Sequence, residues 1–117
     1  MMQYKWHIFL VNLDPVIGSE QGKIRPVIVI SEEEINQILP VVNVIPITSR
    51  KQERRIYPNE VLIPASTGGL EKESIALCYQ IRTLDKRRLI RDLGKIEDLS
   101  LQEELIDRLC FQLGIIR

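Results

Sequence analysis

Val27-Ile28-Val29-Ile30 sets four β-branched side chains in succession, and Val41-Val42-Asn43-Val44-Ile45-Pro46-Ile47-Thr48 nearly repeats the pattern. Such residues lose rotamer freedom in a helix and pack well on a pleated surface, so both runs read as strands. A run without polar alternation presents apolar side chains on both faces, so residues 27–30 form a strand buried on both. Pro46 cannot donate a ladder hydrogen bond, which puts the second run at a sheet edge or at a bulge near its end. The 117 residues suit a single domain, 1–117, with one modest core. Aromatic residues make up only 5% of the chain, so that core must be built from Ile, Leu and Val.

Turn signals separate further strands. Trp6 to Leu13 mixes aromatic and branched residues and stops at Asp14-Pro15. The polar loop "GSEQGKIRP" (residues 18–26) then feeds the first branched run. Ser31 and Glu34 have capping-box spacing, which predicts a short helix ending before Pro40. Residues 49–58 are charged and aperiodic and read as a loop. Strands are expected at 60–63, 74–78, 80–84 and 93–96, with a helical turn capped by Asp85. The C-terminal segment is a helix. Ser100 and Glu103 repeat the capping-box spacing, Leu101, Leu105, Leu109 and Leu113 recur every fourth residue, and Gly114 suits the position past the end. The sum is a mainly β fold with a small α component: a small antiparallel barrel or curled sheet of six or seven strands, closed on one side by a C-terminal helix.

Formal net charge is zero, so bulk attraction to nucleic acid or an anionic membrane is not expected. Local basic clusters do exist, one at Arg50, Lys51, Arg54 and Arg55 and one from Arg82 to Lys95. Each reads alone as solvated surface, and together they permit a polyanion site. Cys78 and Cys110 suit thiols in a reducing cytosol better than a disulfide framework. Neither a membrane span nor a secretory signal is evident, so a cytoplasmic location is expected.

With His7 as the only histidine, Cys and His cannot supply metal-ligand spacing. No P-loop is present, and neither cysteine has an evident partner base. What remains is chemistry by Arg, Glu, Thr and Ser on loops, with no metal and no cofactor. RNA suits that set, because its own 2′-hydroxyl can attack the neighbouring phosphate. The protein then has to remove a proton, stabilise charge on phosphorus and assist the leaving 5′-oxygen. Arginine, a permanent cation with five fixed donors, matches the second task.

"LDPVIGSEQGKIRPVIVIS", "VIPITSR" and the segment from "ALCYQIRTLDKRRL" onward resemble, in order and spacing, the motifs of the MazF/PemK family of toxin endoribonucleases. The resemblance implies an SH3-like barrel of the CcdB/PemK type that pairs into a homodimer. It implies metal-independent, sequence-specific cleavage of single-stranded RNA, mostly mRNA, leaving a 2′,3′-cyclic phosphate and a 5′-hydroxyl. It also implies a cognate, MazE-like antitoxin as partner. Arg25 and Thr48 fall at the family's catalytic arginine and threonine, and Glu20 at the acid of the first loop. Ser49, Gln80 and Arg82 fall where members line the RNA groove, and Ser19, Gln21, Lys23, Arg50 and Lys86 are taken as further RNA-binding residues. Members commonly open the first strand with Gly and an acid, whereas this chain has Trp6 and His7. The rival readings are a non-enzymatic toxin of the same fold that poisons DNA gyrase, as CcdB proteins do, and a catalytically silent antitoxin-binding member. At residue level, Glu20 is either a base or a salt-bridge partner that steadies Arg25, and Thr48 either a catalytic group or a strand residue.

Overall fold

The computed structural model describes residues 1–117. Seven antiparallel strands form one strongly curved sheet: β1 His7–Asn12, β2 Ile24–Val29, β3 Val41–Ser49, β4 Glu60–Ile63, β5 Ser74–Leu77, β6 Arg82–Asp85 and β7 Leu89–Lys95. Helix α1 covers Glu33–Ile38 and helix α2 covers Leu99–Leu113. Neighbours run β4-β5-β3-β2-β1-β7, and β6 pairs with β3 as well.

One edge of β3 carries β2, while its other edge carries β6 over Val41–Val44 and then β5 over Ile47–Ser49. The change of partner leaves Ile45 and Pro46 unpaired on that edge, so a residue without an N–H is accommodated inside a central strand. The expected edge or bulge position for Pro46 is thereby corrected to a change of partner within a central strand. β6 passes into β7 through a single turn, Lys86–Arg88, opened by the Asp85 carboxylate accepting from Arg87 N. Because β6 lies on β3 and β7 on β1, that turn closes the ring β3-β2-β1-β7-β6 into a small barrel.

The curvature gives the molecule two apolar clusters where the sequence suggested one core. Phe9, Val11, Val27, Val29, Val44 and Leu84 fill the barrel. Ile8, Ile28, Ile45 and Ile47 point the other way, under α2 and the β4–β5 extension. Strand β2 is therefore buried on both faces, as its unbroken apolar run requires. Cys78 belongs to the outer cluster, where burial pushes its thiol up to about 12, and Cys110 is half-buried and also free.

Both helices start differently from expectation. Ser31 does not cap α1. Its hydroxyl accepts from Asn43 N at 3.0 Å and donates to Asn36, tying the helix to the start of β3. At α2 the cap is Asp98, whose carboxylate accepts from the backbone N–H groups of Ser100 and Leu101. An ionised carboxylate forms the stronger bond, and Ser100 Oγ itself donates to Asp98 at 2.7 Å. Leu101, Leu105 and Leu109 are buried as the spacing predicts, but Leu113 is 52% exposed because the last turn of α2 runs past the sheet. No helix is long and apolar enough to cross a membrane.

Candidate functional site

The loop between β1 and β2 is closed at its neck. Leu13 N donates to Lys23 O at 2.8 Å, and Lys23 N donates to Asp14 Oδ1 at 2.8 Å. Arg88 Nη1 donates to the carbonyl oxygens of Asn12 and Asp14, and Arg82 Nη1 donates to that of Leu13 at 3.3 Å. The tip is docked by one side chain: Gln80 Oε1 accepts from Gln21 N at 2.8 Å and Gln80 Nε2 donates to Ser19 O at 3.1 Å. Gln80 can do this because it ends a 3₁₀ turn, Cys78–Gln80, rather than lying in a strand. Gln80 and Arg82 are thus brought together by a turn and the start of β6, and not by the strand alternation expected from sequence.

Along this face run three depressions. The first, about 440 Å³, is lined by Ser19, Glu20, Tyr79, Gln80, Ile81 and Arg82. The second, about 250 Å³, includes Gln21, Thr48, Ser49, Lys51 and Tyr79. Arg25, Ser49, Lys72 and Arg91 are among the residues around the third, about 310 Å³. Tyr79 belongs to the first two and Ser49 to the last two, so the three form one continuous strip.

The strip contains Ser19, Glu20, Gln21, Arg25, Thr48, Ser49, Gln80 and Arg82 from the sequence-derived set. Lys23, Arg50 and Lys86 lie outside it. Lys23 sits at the loop neck, and Arg50 is held by Glu73 at 3.1 Å and by Arg54 O at 3.0 Å. Lys86 donates to Asn36 O and lies 4.7 Å from the Tyr4 ring centroid, which turns it toward α1.

Glu20 and Arg25 do not pair. Glu20 Oε1 accepts from Ile17 N at 2.8 Å, a contact that shapes the loop tip, while Arg25 Nε donates weakly to Gly22 O at 3.4 Å. The Arg25 guanidinium therefore has no carboxylate partner. It stands near the start of β2, opposite Val11, and Pro26 after it enforces extended backbone. Thr48 is opposite Ile75, near the end of β3. His7 makes an internal tie instead, with Nδ1 2.9 Å from Asp92 Oδ2 across β1 and β7.

Tyr79 was missed from sequence, although it borders the first two depressions and a fourth of about 510 Å³ formed with Tyr57, Pro58, Asn59, Phe111 and Gln112. Its one signal was a tyrosine next to Gln80. Arg54 was named only as a member of a basic cluster. It donates to both oxygens of buried Glu60 at 2.9 and 2.6 Å. The guanidinium holds the Glu60 carboxyl below its usual range, and Glu60 raises Arg54 in return.

The fold is a small β-barrel that carries a polar strip of arginine, hydroxyl and amide groups. Residues 4–113 match the family described as PemK-like, MazF-like toxin of type II toxin-antitoxin system. The chain is 42% identical to Endoribonuclease MazF of Staphylococcus saprophyticus over 87% of its own length and 84% of that protein. It is 34% identical to Endoribonuclease EndoA of Bacillus subtilis over 99% of its length and 98% of that protein. Among solved structures, MazF from Deinococcus radiodurans superposes with a TM-score of 0.81 at 29% identity, covering 98% of this chain and 99% of that one. A MazE–MazF complex from the same organism gives 0.74 at 29% identity, over 97% and 96%. The chain belongs to the PemK/MazF family of type II toxins.

Proposed function

We propose that this protein is a sequence-specific endoribonuclease toxin that cuts single-stranded RNA, mRNA above all, by attack of the substrate's own 2′-hydroxyl, and that a MazE-like antitoxin restrains it in the cytoplasm. The observation that carries this reading is the continuous strip joining Arg25, Thr48 and Gln80, in which Arg25 has no internal counter-charge. A guanidinium left unpaired in a cleft is free to bind an anion.

In the reaction, the bond between the 2′-oxygen and phosphorus forms while the bond from phosphorus to the 5′-oxygen breaks. The 2′-hydroxyl loses its proton to a base, and the departing 5′-oxygen gains one. The products are a 2′,3′-cyclic phosphate and a 5′-hydroxyl. Arg25 stabilises the charge that builds on the phosphoryl oxygens, and the Thr48 hydroxyl positions the scissile phosphate. Glu20 is the carboxylate at the Gln80 end of the strip; its Oε1 is bonded to Ile17 N, which leaves Oε2 to take the proton of the 2′-hydroxyl. Neither a metal nor a cofactor is required by this scheme. Gln80 and Arg82 line the channel for flanking bases, with Tyr79 as a stacking surface. Phe111, Leu113, Ile115 and Ile116 stand exposed around the end of α2, an apolar area suited to pairing two copies into a homodimer.

Purified protein incubated with a long single-stranded RNA and a chelator should give discrete cuts ending in cyclic phosphate. Arg25→Ala should slow them by about 10²–10³-fold, the loss expected for one charge-stabilising donor. Intact RNA with wild-type protein, or equal cutting by the variant, overturns the reading; gyrase inhibition with RNA left whole would put the CcdB-type function in its place.

A further inference from the structure

Most cationic side chains in this chain are already engaged. Lys5, Arg50, Arg54, Arg87, Arg108 and Arg117 are in ion pairs. Arg82, Lys86 and Arg88 are bound to backbone carbonyls. Arg25, Lys72 and Arg91 have no carboxylate partner, and all three line one cleft of about 310 Å³. Its only acid is Glu71, which is likewise unpaired.

The fold builds this grouping from three separate pieces of chain. Arg91 on β7 faces Leu10 on β1 and Leu10 faces Pro26 on β2, which sets these three in one row; Arg25, one residue earlier and opposite Val11, borders the same cleft from the neighbouring row. Lys72 comes from the connection between β4 and β5. Its carbonyl is fixed by the buried Ser74, whose Oγ donates to it at 2.9 Å. The connection lies directly on β7, because Gly69 approaches it so closely that an added Cβ would sit 2.0 Å from Leu93 O. Glycine in a backbone approach of this kind marks a fixed packing distance.

We infer that Lys72 and Arg91 form a second phosphate-binding subsite, which grips the RNA backbone on the side of Arg25 away from Gln80. The inference rests on the ribonuclease reading above and extends it. The strip then has a division of labour along its length. The end near Glu20 and Gln80 offers amide, aromatic and carboxylate groups suited to bases. The end near Arg91 offers cations with few partners for base edges, and so suits phosphates of any sequence. Lys72 and Arg91 act on binding, and neither is a catalytic residue.

The test uses a short unstructured RNA carrying a 2′-deoxy nucleotide at the mapped cut, or an unmapped RNA of the same length if none is cut. Binding is followed by fluorescence anisotropy between about 50 and 200 mM salt. The Lys72→Ala/Arg91→Ala variant should raise Kd about tenfold and flatten the log–log salt slope by about 1.4, two single-strand phosphate contacts' worth. Glu71→Gln, which removes the cleft's acid, should tighten binding by about two- to threefold. Lys95→Ala, another unpaired cation on β7 outside the strip, serves as the charge control and should leave the slope within about 0.3 of wild type. A double variant with the wild-type slope overturns the subsite, as does a Lys95→Ala loss equal to that of the double variant. Cutting that Arg25→Ala abolishes, with Lys72 and Arg91 indifferent, would leave the ribonuclease reading standing and remove this one alone.

Discussion

Glu60 is the one charged side chain taken inside the protein, at 2% exposure, and its ion pair with Arg54 is held further by the Tyr57 N–H donating to it at 3.0 Å. Removing one partner of such a pair leaves the other charge without its counter-ion, which costs more than the pair contributes. Glu60→Gln should therefore destabilise by about 2 kcal/mol, a modest value because Arg54 is partly exposed and water screens it. The effect is read from the urea midpoint. Acid should act in the same direction. Arg54 depresses the folded pKa of Glu60 below the unfolded value of about 4.3, so the stabilisation is complete above that pH and fades as pH falls through the folded pKa. A wild-type stability loss below about pH 4 that shrinks in Glu60→Gln is the expected signature. Residue-level features of this kind were not visible in sequence. Glu53 is the acid beside Arg54 in sequence, yet Arg54 pairs with Glu60 and Arg50 with Glu73, and only the packing of the segment before β4 selects Glu60 for burial.

Elements were more legible than their ends. The branched runs gave β2 and β3 because side-chain shape acts locally, and the leucine spacing gave α2 for the same reason. Helix starts failed where a second acceptor competed. Asp98 outbids Ser100 as a cap, and Ser31 is drawn to β3, a contact twelve residues away that no local pattern encodes. β7 also exceeded expectation, running from Leu89 rather than Leu93, since its pairing with β1 supplies what its weak apolar pattern does not. The turn Thr67–Gly69 is the element on which the cationic end of the strip depends. Gly69 has φ +80 and stands against the Leu93 carbonyl, so Gly69→Ala adds both a strained backbone and a clash. A loss of at least about 2 kcal/mol is expected, seen as a Tm lower by roughly 8 °C. RNA affinity should weaken as well, since the turn carries the chain toward Lys72.

At the scale of the whole molecule, the candidate site was partly readable because its residues sit in two short motifs, around Arg25 and around Thr48. Its continuity was not readable. Tyr79 and Ser49 join the depressions only because β3 changes partners midway, bringing β5 and the turn after it beside the β1–β2 loop. Lys86, chosen for its charge, is on another face because the turn that closes the barrel directs it to α1.

The manner in which the β1–β2 loop is fastened has a consequence for how such a protein can diversify. Its neck and its dock are held through main-chain groups: the carbonyls of Asn12, Leu13, Asp14, Ser19 and Lys23, and the amides of Leu13, Gln21 and Lys23. None of these contacts consults a side chain of the tip, so apart from Glu20, which braces Ile17 N, and Gly18, residues 16–21 behave as an exchangeable cartridge on a fixed mount. Grafting a tip of equal length that keeps Gly18 and Glu20 and changes the other residues should move the positions at which RNA is cut while Tm stays within about 4 °C. Cut-site sequencing beside a melting curve reads both quantities. Selection can thus rewrite what the strip recognises without renegotiating the barrel that carries it.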